Sequence, residues 1–306
     1  MLGCRHSRLD IPWGEDECFA PQQLRLLRAQ FPSGPIIVDN LPKFDAPPVT
    51  ETVMGVEFQA NPQWNVTHYG LFYSSVKSRY PKVELQPPLP DEEEVSAPIG
   101  GISFRLMQGP MDTRCWFIDP SDSLLLQVQA NRFLRNWRRR AGAGEYPNYA
   151  VNRAEFVTDW NLYCQFLRDH DLDPPSVRQC EITYVNLLET GKGHGASGDL
   201  AEIFQFWSQP TREGGLLPSP AAADFKLVFK MPGPATKLHV ALQNVLRVSD
   251  GAEMLQLTLT VRGRPTSVDE AGLLAWFDLG HEWIVRGFDE LTTPKMHQLW
   301  KKRSRS

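Results

Sequence analysis

Apolar residues recur along this chain with two periods, and the periods alternate in blocks. ETVMGVEF (51–58) reads as a strand, and Asn65 caps a predicted helix running to about Arg79. Val66, Tyr69, Tyr73, Val76 and Tyr80 follow one another at spacings of three and four there. Strands are predicted at 82–86, 101–108, 114–119 and 123–131. A long helix is predicted from Val151 to Asp169, with Phe156, Trp160, Tyr163 and Leu167 on one face, and Pro174–Pro175 ends it.

The order then restarts. VRQCEITYVNLL (177–188) is a predicted strand, followed by the loop GKGHGASG and a short helix started by Asp199 with Glu202. Strands are predicted at 224–231, 237–248 and 253–262, the last with Leu255, Leu257, Leu259 and Val261 on one side. Ser267 with Glu270 opens a long helix to Leu291 whose stripe is Leu273, Phe277, Ile284, Phe288 and Leu291. Thr293–Pro294 starts a final short helix. Both halves run strand, helix, strands, long helix. The pattern predicts an α+β protein of two tandem similar units, each a curved antiparallel sheet covered by a long helix. The expected organisation is an irregular N-terminal lead-in at 1–46, a first unit at 47–175, a second at 176–302 and a basic tail at 303–306.

Several segments together carry a resemblance: PPVTETVMGVEF, HYGLFYSSVKSRYP, LLLQVQANRFLRNWR, CEITYVNLL and HEWIVRGFDELTTPKMHQLW. In order and spacing this set resembles a sporadically distributed family of bacterial proteins of about this length, over roughly Pro47 to Trp300. The family implies no assigned reaction. Its scattered occurrence resembles that of accessory, mobile-element or defence genes.

Composition bounds what chemistry to expect. The net charge of −4 creates no protein-wide field for polyanions, so nucleic-acid binding would need a local basic patch. Such a patch exists in RFLRNWRRR, where Arg132, Arg135, Arg138, Arg139 and Arg140 accompany Trp137. The run continues the predicted strand at 123–131, so these side chains are expected at a water-facing rim. There they would form a solvated loop or hold an anion or partner. The five Cys include no C-x-x-C pair, which suits reduced thiols and a cytoplasmic location. No apolar run is long enough to span a membrane, and no signal peptide is read at the N-terminus.

The remaining motifs are weaker. GKGHG fails the phosphate-loop template but precedes a helix start, which leaves Lys192 and His194 as a weak anion loop. HEWIV has Val285 where a zinc helix needs its second His, and His281 is expected as a hydrogen-bonded core or interface residue. RDHDLD has no calcium-loop spacing. Gly280 and Gly287 mark a close approach, either within the chain or to a second subunit. No catalytic residue, metal or cofactor is expected. The leading expectation is a binding or assembly protein that engages another protein or itself. Nucleic-acid binding through 132–140 is second, and a small-ligand or enzyme pocket between sheet and long helix is third.

Overall fold

The computed structural model describes residues 41–91, 113–140, 146–189, 200–208, 216, 222–232, 235–247 and 250–304. Its strands are β1 (Val49–Phe58), β2 (Lys82–Gln86), β3 (Arg114–Ile118), β4 (Leu124–Gln129), β5 (Arg132–Arg138), β6 (Val177–Glu189), β7 (Phe225–Lys230), β8 (Lys237–Leu246) and β9 (Glu253–Gly263). Its helices are α1 (Val66–Val76), α2 (Tyr149–Asp169), α3 (Leu200–Ile203), α4 (Glu270–Leu291) and α5 (Pro294–Leu299). The strand expected at 101–108 lies outside the described residues. No helix among the described residues is long and apolar enough to cross a membrane.

Among the described residues, the nine strands join one sheet in the order β2-β3-β4-β5-β1-β6-β9-β8-β7, and the neighbours are antiparallel. The first strand of each half meets the other at the centre. Met54 lies opposite Ile182, and Thr52 lies opposite Tyr184. The two stretches of sheet that the sequence suggests are thus continuous through β1 and β6.

One face of the sheet is apolar and carries both long helices. Leu255, Leu257, Leu259 and Val261 of β9 all lie on it and are fully buried, each such burial contributing roughly 1.5–3 kcal/mol. The predicted α2 stripe of Phe156, Trp160, Tyr163 and Leu167 is buried on the same side. Phe133 of β5 meets Phe156, Trp160 and Tyr163. α2 and α4 also touch each other and run antiparallel: Tyr149 stacks on His281, Phe156 meets Phe277, and Asn161 bonds Glu270.

Local signals place the helix ends, with some shifts. Asn65 caps α1 in a reciprocal box with His68. Asn148, two turns' reach before Phe156, caps α2 and starts it at Tyr149. Asp269, not Ser267, caps α4 by accepting from the Gly272 amide. Its ionised carboxylate is the stronger acceptor for that first-turn donor. Thr293 caps α5, with Pro294 in the first turn.

Parts of the expected lead-in and tail are fastened to the fold. Phe44 bridges Lys302, Phe44 packs on Phe288 and Trp300, and Arg303 reaches Asp45 at 2.6 Å.

Gly280 faces the chain's own sheet, not a second subunit. A Cβ there would stand 2.6 Å from a methyl of Ile182. Gly287 likewise faces Leu238, 3.1 Å from where its Cβ would sit. The glycines let α4 lie close on β6 and β8, which offsets their weaker helix propensity. Gly280→Val should therefore lose about 1–3 kcal/mol through overpacking. Gly70→Ala, at an open helix position, should gain up to about 1 kcal/mol. Urea unfolding of the two variants checks the contrast.

Candidate functional site

The arginine run is a strand of its own. β4 ends at Gln129, Ala130 and Asn131 turn the chain, and β5 begins at Arg132 opposite Gln129. β5 then lies between β4 and β1, three strands in from the β2 edge. Its alternation sends Phe133, Arg135 and Trp137 to the helix face and Arg132, Leu134, Asn136 and Arg138 to the opposite face. The expected water-facing rim is therefore corrected. Arg132, Arg135 and Arg138 are only 5%, 4% and 9% exposed. Arg139 and Arg140, past the strand end, are exposed.

Each of these arginines is held within the chain. On the helix face, Arg135 Nε donates to Asp159 Oδ2 at 3.0 Å. Asp159 is fully buried and also accepts from Tyr80 at 2.8 Å and from Arg79. Arg79 meets Glu155 as well. Burial and the neighbouring Asp159 charge push the Tyr80 hydroxyl far up, so it stays a donor. On the other face, Arg132 pairs with Glu57 at 2.7 Å and donates to the Pro90 carbonyl. Arg138 and Arg140 share Asp122. Arg139 donates to the Pro47 carbonyl. Trp137 is buried against Tyr146.

Where the halves meet, the helix face carries a second polar group. Burial holds His281 down at about 4, so it is neutral at pH 7. Its Nδ1 bonds the Tyr184 hydroxyl at 2.9 Å, and its ring stacks on Tyr149 at 3.9 Å. Tyr149 donates to Asp278, which Arg153 also grips. Tyr146 donates to Tyr184. These bonds tie α2, α4 and β6 together across the centre of the molecule.

The face away from the helices is polar across its centre. Gln86 pairs with Arg114, and Gln129, Arg132, Glu57 and Gln179 form a row that the β3–β4 register, continued by one residue, joins to Arg114; the next row contains Glu84, Trp116, Gln127, Leu134, Gly55, Glu181 and Arg262. Gln179 donates to Glu57 at 2.9 Å, and Arg262 grips Glu181 at 2.6 Å. Gln127 accepts from Arg114 and from the Trp116 indole, and donates to Asn136, which donates to Glu51. Arg114 and Arg138 both lie over the Trp116 ring at 5.4 Å.

Other sequence candidates fall elsewhere. Lys192 and His194 lie outside the described residues. In RDHDLD, Asp169 accepts from Gln165 and the His170 ring packs on Phe166 at the end of α2. Among the described residues, no three His, Cys, Asp or Glu side chains gather as a metal set. A shallow cleft between α2 and the end of β1 is lined by Phe58, Tyr163, Leu167 and Pro174–Pro175. Glu57, Arg114, Asp159, Tyr184 and Asp278 were not singled out from sequence. Asp159 had a legible signal, since it completes the helical spacing of Phe156, Trp160 and Tyr163.

No family model and no curated protein matches the chain. Among solved structures, it is similar to DynU16, a protein of the dynemicin biosynthetic locus. The two share 13% identity over 79% of this chain and 98% of that one, with a TM-score of 0.25. A likeness that distant carries no functional argument.

The Glu57 site generates a pH signature. Burial pushes its carboxyl from 4.5 up to about 7, outweighing the pull of Arg132, and Glu181 adds like-charge repulsion. Between those values the native state holds a proton that the unfolded chain releases, so Glu57 removes stability as pH rises from 4.5 to 7. His281 acts oppositely: from pH 6.5 down to about 4 the unfolded chain takes up a proton that the native state refuses. Comparison with Glu57→Gln isolates the first effect. Wild type should lose on the order of 2–3 kcal/mol relative to the variant between pH 4.5 and 7. Denaturant unfolding across that range measures it, and parallel profiles would contradict it.

Proposed function

We propose that the chain is a binding and assembly protein of the bacterial cytoplasm whose charged groups serve structure and contact, not catalysis. The observation that carries this reading is the state of the sheet edges. Among the described residues, β2 and β7 each have one neighbour strand. Apolar side chains on both stand in water: Leu85 is 72% exposed, Val83 43% and Phe229 38%. An unpaired edge with apolar side chains is a template for another strand.

The two edges differ in self-complementarity. β7 carries Lys226 and Lys230 on one face, which repel a second copy. β2 reads KVELQ, with Lys82 and Glu84 on one face and Val83 and Leu85 on the other. Two copies of β2 running antiparallel, Val83 against Val83, would set each Lys82 opposite the partner's Glu84. Self-association through β2 is therefore the form of assembly favoured here. The three described cysteines are all free, which supports a reducing compartment.

The repeated element order, with β1 and β6 adjacent at the sheet centre and a long helix closing each half, supports an internal duplication. Membership of the sporadic bacterial family rests on the segments that resemble it.

Light scattering over a concentration series tests the assembly. Wild type should form dimers that Leu85→Lys weakens at least tenfold, while stability stays within about 0.5 kcal/mol, as for other surface changes. A wild type that stays monomeric at all concentrations and captures no strand-forming partner would overturn the reading.

A further inference from the structure

Arg114 is unlike the other arginines of the polar face. Arg132 has Glu57, Arg138 has Asp122 and Arg262 has Glu181. Arg114 donates to the neutral amide oxygen of Gln127 and pairs with no carboxylate among the described residues. Its Nε is buried without an acceptor among those residues, and the same holds for the Nε of Arg132 and of Arg138, but Arg114 alone of the three has no carboxylate partner there. Buried donors of a charged group that lack an acceptor are rare in native proteins, and a bound water or ion is one way such a donor is satisfied.

The sheet brings the Arg114 and Arg132 guanidinium groups together. Cys115 of β3 pairs with Val128 of β4, so the same register continued by one residue sets Arg114 opposite Gln129, which pairs with Arg132 of β5. Strands are about 4.8 Å apart, so the two backbones are separated by roughly 10 Å, a gap two long side chains close easily. Arg132 is bonded to the Glu57 carboxylate, whereas Arg114 is held by a neutral amide. Burial and the nearby Arg132 charge both lower the Arg114 pKa from its ordinary value, although the guanidinium stays charged. An anion would relieve both penalties. The supporting side chains are fixed: Gln127 is locked by Trp116 and Asn136, and the Trp116 ring lies under the Arg114 guanidinium.

We propose that Arg114 and Arg132, on the sheet face away from the helices, form a binding site for an oxyanion, a carboxylate or a phosphate group. The guanidinium fork of Arg114 would take two oxygens side by side, the geometry at which Arg surpasses Lys. This site is separate from the β2 edge contact and stands whether or not the chain self-associates. It also differs from the exposed basic patch expected at 132–140, since it draws on β3 and the interior of the sheet.

Thermal unfolding with inorganic phosphate or acetate, each against chloride at matched ionic strength, tests the site. Wild type should show a saturable rise in melting temperature with at least one of the two. A response to phosphate alone assigns a phosphate group, and a response to acetate alone assigns a carboxylate. Arg114→Gln should weaken the response at least tenfold, while Arg168→Gln, on the exposed side of α2, should leave it unchanged. Should Arg114→Gln fail to fold, Arg114→Lys keeps the charge without the fork and should show the same weakening. No saturable response to either anion would overturn the proposal. So would an Arg114 variant that responds as wild type does.

Discussion

A single carboxylate without solvent contact governs how the first half of this protein is built. Asp159 projects from the apolar stripe of α2 into the core and receives Arg135, Arg79 and Tyr80 there. A lone charge in that position would be prohibitively unfavourable, and two cations with a hydroxyl make it tolerable. The bonds also fix register. Arg135 is the middle residue of β5, and Arg79 and Tyr80 follow the end of α1, so strand and both helices are located relative to one point. Once β5 is set with Arg135 inward, Arg132, Asn136 and Arg138 must face the other way. The polar face of the sheet is thus the geometric consequence of an ion pair on the apolar one.

The second constraint is the pairing of β1 with β6. It merges the strands of both halves into one sheet and brings α2 beside α4. His281 is kept neutral by burial, and with Tyr149 and Tyr184 it closes the seam by stacking and hydrogen bonding. A charged histidine would resist that burial. The seam is apolar in character although polar atoms line it.

Much of this was legible in the sequence because period and burial agree. β9 alternates strictly, and its four apolar residues are the floor under α4. The stripe of α2 was readable for the same reason. The arginine run was not, because the turn before it, Ala130–Asn131, lacks the glycine that marks tight hairpins. Without that signal, Arg132–Arg138 reads as the end of β4 and its arginines as solvated. The contrary clue was present: Phe133, Arg135 and Trp137 share a strand face, and Asp159 shares a helix face with Phe156, Trp160 and Tyr163. An acid and a base embedded in two apolar stripes are candidates for each other. Partners far apart in sequence, such as Glu57 with Arg132 or Tyr149 with Asp278, carry no local signal at all. Neither does the neutral Gln127 acceptor of Arg114.

The fold of the first half depends most heavily on Asp159, and its replacement is the direct measurement. Asp159→Asn keeps the shape of the side chain while leaving Arg135 and Arg79 without their shared anion. Equilibrium urea unfolding at neutral pH should then show a loss of about 3–5 kcal/mol, as when one partner of a buried pair is removed. A loss below about 1 kcal/mol, the level of an exposed ion pair, would contradict the claim that this carboxylate organises the fold.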